Sequence, residues 1–300
     1  MPLVHAIVLG IVQGLSEFLP ISSSGHLALV PWLFGWEDFA GQPELETTFD
    51  VALHLGTFAG AVAYFRSDLV RLARGGVAAL RVQRQPAHAG TTEVSVAPAG
   101  RSWRRAPASD DGRLAWLLVV SALPAAAAGA LFEDTFRGVA DMEWLIGLLL
   151  IVFGLVLLWA DRLPGRRPAE EFRLRDALVM GVAQALALQP GVSRSGVTIT
   201  AARWVGFARA DAARLSFLMS LPVIAGAGLY KGLDVVAAGG IPASFVPAFA
   251  WGMAASALTG WLAVWGTLRL VRTRTFTPFV VYRVVIGLAV IGLVVSGFRG

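Results

Sequence analysis

Two short stretches of this sequence hold most of its chemically useful side chains. The first runs Gln13-Gly14-Leu15-Ser16-Glu17-Phe18-Leu19-Pro20-Ile21-Ser22-Ser23-Ser24-Gly25-His26. Gln13 and Glu17 are four residues apart, so on a helix they share a face. Pro20 stops that helix, and Ser22, Ser23, Ser24 and Gly25 stand where the next begins, a place that serine favours as a cap. His26 follows within a turn. The second stretch runs Gln189-Pro190-Gly191-Val192-Ser193-Arg194-Ser195-Gly196-Val197-Thr198. It repeats the order of helix stop, serines (Ser193, Ser195), Gly196 and new helix with Thr198, and adds Arg194, a fixed cation whose planar fork suits phosphate.

Free N–H groups at a helix start attract anions. Two such starts and Arg194 together suit a strongly anionic ligand. A carboxylate, an imidazole and hydroxyls beside it suit phosphoryl transfer or hydrolysis, which needs charge neutralisation, an aligned nucleophile and a proton carrier. Taken singly, Glu17 or His26 reads equally well as a satisfied buried group and the serines as plain caps. An acid, an imidazole and a guanidinium all falling at tips of membrane depth favour function, because ionisable groups there are costly.

The membrane depth comes from composition. The chain has 300 residues, 56% hydrophobic and 15% charged, with a mean hydropathy of +0.66. Soluble chains carry about 25% charged residues, so a soluble enzyme, a disordered chain and a coiled coil are excluded, and a helical polytopic membrane protein remains. Cysteine is absent, which removes disulfides, thiolate metal sites and cysteine nucleophiles. The opening MPLVHAIVLG has neither a basic run nor a cleavage site, so no removable leader is expected. Net charge is +5, and Lys231 is the one lysine among 25 basic residues. The basic excess is read as loop orientation and not as nucleic-acid binding.

Six segments are apolar and long enough to span a bilayer: 48–66, 113–132, 142–160, 212–230, 245–268 and 278–297. Residues 2–36 and 174–206 are apolar but broken at their polar tips, and read as re-entrant hairpins in preference to kinked spans. Nine arginines in 66–113, five in 161–176 and three in 269–277 mark those connections as cytoplasmic. Arg203, Arg209 and Arg214 then sit at the cytoplasmic mouth of the second hairpin, and the first opens outward. Residues 67–112 read as a cytoplasmic linker that meets solvent or lipid headgroups. Asp50 and His54, four apart on the first full span, read as a structural pair near the outer headgroup boundary.

The two broken regions also repeat each other. A shift of 171 residues brings Gly10 onto Gly181, Gln13 onto Gln184, Ser22 onto Ser193, Ser24 onto Ser195 and Gly25 onto Gly196. The expected architecture is all-α: two repeats, 1–161 and 162–300, each a hairpin plus three spans. Three crossings separate the hairpins, so the repeats are inverted and their half-helix ends meet near the midplane.

These tips resemble the undecaprenyl-diphosphatase family, the bacitracin-resistance type. The resemblance rests on Gln13…Glu17 running into Leu19-Pro20-Ile21-Ser22-Ser23-Ser24-Gly25-His26, and on Pro190-Gly191-Val192-Ser193-Arg194-Ser195-Gly196-Val197-Thr198. It implies an integral-membrane phosphatase that converts undecaprenyl diphosphate to undecaprenyl phosphate on the outer side of the bacterial plasma membrane. That activity recycles the lipid carrier of cell-wall synthesis and confers bacitracin resistance. It implies a divalent cation, Mg2+ or Ca2+, with Glu17 as metal ligand or base. Ser23 or His26 would be nucleophile or proton partner, unless water attacks. Arg194, Ser193, Ser195 and Thr198 would hold the diphosphate, with Gln13, Ser22, Ser24, Gly25 and Gly196 lining the site. Gln13 stands where some members have Glu, which puts a two-carboxylate metal scheme in doubt here. Membrane lipids are the other expected partners, and a homodimer is left open. The competing reading is an inverted-repeat transporter or flippase of a polyprenyl phosphate. The type-2 phosphatidic acid phosphatases are set aside, since they need a histidine six residues after the arginine and position 200 is Thr.

Overall fold

Helix breaks at the two polar tips decide the architecture. In the computed structural model, which describes residues 1–82, 108–140 and 142–298, α1 (Leu3–Phe18) ends before Pro20 and α2 (Ser23–Phe34) starts anew. Farther along, α7 (Leu174–Leu186) ends ahead of Pro190 and Gly191, and α8 (Arg194–Trp204) restarts. The other helices are α3 (Pro43–Val82), α4 (Ala108–Val120), α5 (Leu123–Ala140), α6 (Glu143–Arg162), α9 (Arg209–Ala237), α10 (Val246–Leu270) and α11 (Thr277–Val295). Among the described residues there is no strand, only one isolated bridge, Arg167 to Phe207.

Five of the six expected spans each fall on one helix, and 113–132 falls across α4 and α5. Five stretches are long and apolar enough to cross a membrane: 110–131, 143–162, 209–237, 246–270 and 277–295. The sixth expected span lies inside α3, where Asp50 and His54 dilute the hydropathy. Exposed Leu155, Trp159, Val182, Leu229, Leu258 and Leu288 give the helices a lipid-facing exterior. The 110–131 stretch is interrupted at residues 121–122. Pro124 lacks the N–H that would continue the ladder there, and the Ser121 hydroxyl donates to the Leu118 carbonyl at 2.7 Å.

Residues 67–82 and 108–112 are not linker. They extend α3 and open α4. Arg71 pairs with Asp111 at 3.0 Å, Arg214 with Asp68 at 2.5 Å, and Gly112 lies against the Gly75 backbone. These cross-links give the polar helix ends a reason to form. The middle of the expected linker, 83–107, lies outside the described residues.

Basic ends converge at one end of the molecule. Arg203 is buried and donates to the carbonyls of Leu163 and Phe207, while Arg209 pairs with Asp161 at 2.5 Å. The Asp161 carboxylate also accepts from the Phe276 N–H at the start of α11. At the opposite end Lys231 meets Glu44, so α3 and α9 run antiparallel. The largest buried cluster packs Phe18, Phe65, Met180, Ile199 and Phe217 around α9, directly beside the tips.

Candidate active site

Each tip is built by the same local device. Ser22 (φ 79°) caps α2 by accepting from the Gly25 N–H, and Ser193 (φ 75°) caps α8 by accepting from the Gly196 N–H at 3.1 Å. Among the described residues these are the only non-glycine positions with positive φ. Such a conformation costs on the order of 1–3 kcal/mol and persists where surrounding contacts enforce it.

Those contacts join the tips. The Gly191 N–H donates to Ser22 Oγ at 3.1 Å, and Ser195 Oγ donates to the Leu19 carbonyl at 3.0 Å. Gly25 permits this approach, since a Cβ there would lie 3.2 Å from the Gly191 nitrogen.

Glu17 is buried where the tips meet. Its Oε1 accepts from Arg194 Nη2 at 2.6 Å. Its Oε2 accepts from Ser23 Oγ at 2.5 Å and from Gln13 Nε2 at 3.1 Å. His54 Nε2 lies 3.5 Å from the same oxygen. Ser23 and Arg194 are the first residues of α2 and α8, so two helix N-termini open here. The 171-residue shift puts Ser23 and Arg194 at equivalent positions: one tip supplies a hydroxyl, the other a cation.

A cavity of about 230 Å³ joins Glu17, Ser23, Ser24, His54 and Arg194 to an apolar wall of Val51, Ala187, Val223, Ile224, Ala227 and Gly228. Through Ser24 and His54 it adjoins a wider vestibule of about 790 Å³, lined in part by Trp36, Glu37, Asp38, Glu44 and Asp50. The site is thus polar at one end and greasy at the other, with an acidic opening alongside.

The remaining expected residues serve the tips themselves. Gln13 is fully buried behind Glu17, and its Oε1 has no partner among the described residues. Ser22, Ser193, Ser195, Gly25 and Gly196 shape the turns. Thr198 Oγ1 bonds the Arg194 carbonyl at 2.8 Å and lies 2.6 Å from Ser216 Oγ on α9. His26 is not brought to Glu17. Its Nδ1 donates to the Ser22 carbonyl at 2.6 Å, and its Nε2 meets the Tyr282 hydroxyl of α11 at 2.7 Å, with the two rings stacked.

His54, read from the sequence as one of a structural pair with Asp50, is brought to Glu17 by the fold. Its Nδ1 donates to the Asp50 carbonyl at 2.7 Å, so the pair with Asp50 involves the backbone. That bond leaves Nε2 facing the site, the nitrogen that can take or give a proton. An imidazole at depth in an apolar span was the available signal. Tyr282 and Arg283 on α11, which bond to tip residues, were not singled out in the sequence.

A resident divalent cation does not fit these residues. Both Glu17 oxygens are engaged by protein donors, one of them cationic. Among the described residues no group of three or more His, Asp or Glu side chains is arranged to hold a metal.

Comparison with known proteins bears on the whole chain. It is 45% identical to an undecaprenyl-diphosphatase of Pelobacter propionicus, covering 100% of both chains. It is 43% identical to one of Pelotomaculum thermopropionicum, over 98% of this chain and 97% of the relative. A third, of Geobacter sulfurreducens, is 45% identical over 97% of this chain and 98% of the relative. The model of the bacitracin resistance protein BacA family matches residues 6–289, both tips and the α3 and α11 contributions included, and the chain belongs to that family.

Proposed function

We propose that the protein is an integral-membrane phosphatase that hydrolyses undecaprenyl diphosphate to undecaprenyl phosphate and inorganic phosphate. Family and relatives support the activity. The observation that carries the chemistry is the Ser23 hydroxyl 2.5 Å from a carboxylate oxygen of Glu17, whose other oxygen holds Arg194. A hydroxyl beside a base is an activated nucleophile. A guanidinium fork and two helix N-termini suit the charge of a transferring phosphoryl group.

The proposed reaction has two steps. Ser23 Oγ attacks the terminal phosphorus, Glu17 takes the hydroxyl proton, and the bond to the bridging oxygen breaks to release undecaprenyl phosphate. Water then attacks the phosphoserine and gives a proton to His54, the bond from phosphorus to Ser23 Oγ breaks as Glu17 returns its proton to that oxygen, and inorganic phosphate leaves. Arg194 turns from Glu17 toward the phosphoryl oxygens as charge builds. The apolar wall of Val51, Val223, Ile224 and Ala227 suits the first prenyl units. The divalent cation implied by the family resemblance would arrive on the diphosphate oxygens, as part of the substrate.

In this reading the two halves, 1–161 and 162–300, are inverted repeats. The shared positive-φ serine caps support this, as do Gly10 and Gly181, each packed against the backbone of another segment, Gly252 for the first and Ser121 for the second. The basic end faces the cytoplasm of a bacterial plasma membrane, and the vestibule and site open outward.

The test uses purified protein in detergent with undecaprenyl diphosphate and magnesium. Phosphate release that is lost in Glu17→Gln supports hydrolysis. Substrate binding with no phosphate release would instead support a lipid carrier.

A further inference from the structure

α11 carries a guanidinium with no exposure to solvent, Arg283. Among the described residues no carboxylate is bonded to it, although a buried charge without compensation costs several kcal/mol. Its compensation comes from carbonyl groups on three separate segments. Nε donates to Leu150 O at 2.9 Å and Nη2 to Leu149 O at 3.3 Å, both on α6. Nη1 donates to Pro20 O at 3.2 Å in the first tip. Nη2 also donates to Gly191 O at 2.9 Å and Val192 O at 3.1 Å in the second tip.

Two glycines clear the space. A Cβ at Gly196 would lie 2.9 Å from Arg283 Nη1, and one at Gly154 would lie 3.3 Å from Arg283 Cβ. One planar fork therefore grips both tips. A trans peptide is planar, so fixing a carbonyl fixes the direction of the whole unit. The nucleophile sits on one tip and Arg194 on the other, so their separation depends on how the tips are registered.

We propose that Arg283 is the positioning residue that sets this register, holding Ser23 and Glu17 at reaction distance from Arg194 without touching substrate. A lysine there keeps the charge but offers three donors from a single point and cannot span five carbonyls. Local binding groups stay intact while cross-tip alignment loosens. The expected effect of Arg283→Lys is a fall in kcat of about 100-fold, the scale of an ångström misplacement, with KM nearly unchanged.

The kinetic arm rests on the diphosphatase reading. A second arm does not: the chain has no cysteine, and residues 24 and 190 both line the vestibule from opposite tips. Ser24→Cys with Pro190→Cys should be joined efficiently by a short bismaleimide, and much less so once Arg283→Lys is added. Should Arg283→Lys not fold, Gly154→Ala carries the test, since the atoms nearest its added methyl all belong to the Arg283 side chain and the charge stays in place. Lower kcat together with slowed cross-linking supports the proposal. A folded variant with native kcat and cross-linking overturns it, as does a raised KM with kcat retained, which would make Arg283 a substrate contact. Slowed cross-linking in a protein with no diphosphatase activity from the start would sink the functional reading and leave the register role standing.

Discussion

Glu17 accepts from Arg194, Ser23 and Gln13 at once, with His54 close by, and this one carboxylate organises the site. Its surroundings were half legible in the sequence. Gln13 and Glu17 declared themselves by helical spacing, and Arg194 by its place in a repeated tip. His54 showed itself only as a partner of Asp50, because nothing local says which neighbour a side chain on a long span will meet. The two histidines should therefore separate in kinetics. His54→Gln is expected to lower kcat by about 100-fold, as befits a lost proton carrier. Tyr282→Phe, which frees His26 Nε2, is expected to cost under about tenfold. The reverse order, measured by phosphate release, would return the proton-carrier role to His26. Gln13→Glu places a second carboxylate beside Glu17. Calorimetric titration with magnesium in the absence of substrate should then show binding in the variant and none in the parent protein.

At the scale of elements, the tips work because their turns are strained in the same way. Ser22 and Ser193 hold positive φ and cap the following helix. Glycine adopts that conformation freely, whereas alanine keeps the strain and loses the cap. Ser193→Gly should thus melt closer to the parent protein than Ser193→Ala, which is expected to lose about 1 kcal/mol. Equal melting temperatures would show that the conformation is unstrained. Helix breaks and spans were readable because lipid demands long apolar runs and tolerates irregular backbone only inside protein. The length of α3 and the bend before α5 were not readable. The first depends on Arg71 and Arg214 finding Asp111 and Asp68 on other helices, and the second on a single proline in an otherwise smooth span.

At the scale of the molecule, one end gathers arginines into a lattice of ion pairs and the other holds a vestibule with Glu37, Asp38, Glu44 and Asp50. Counting arginines in the loops gave the same division, since each loop keeps its charge wherever the helices settle. Which tip residues touch was less evident, for it depends on helices from both halves closing around the tips. The absence of cysteine makes sidedness easy to measure. In intact cells, Glu37→Cys should react with an impermeant maleimide, and Arg274→Cys only after permeabilisation. The opposite pattern would turn the site toward the cytoplasm.

The central claim is that Ser23, activated by Glu17 on one tip and faced by Arg194 on the other, breaks the diphosphate bond. Phosphate release from undecaprenyl diphosphate by folded, purified Ser23→Ala tests it most directly. The account expects turnover to fall by about 1000-fold or more, with substrate still bound. Turnover within about tenfold of the parent protein would contradict it and pass the attack to water or to another group.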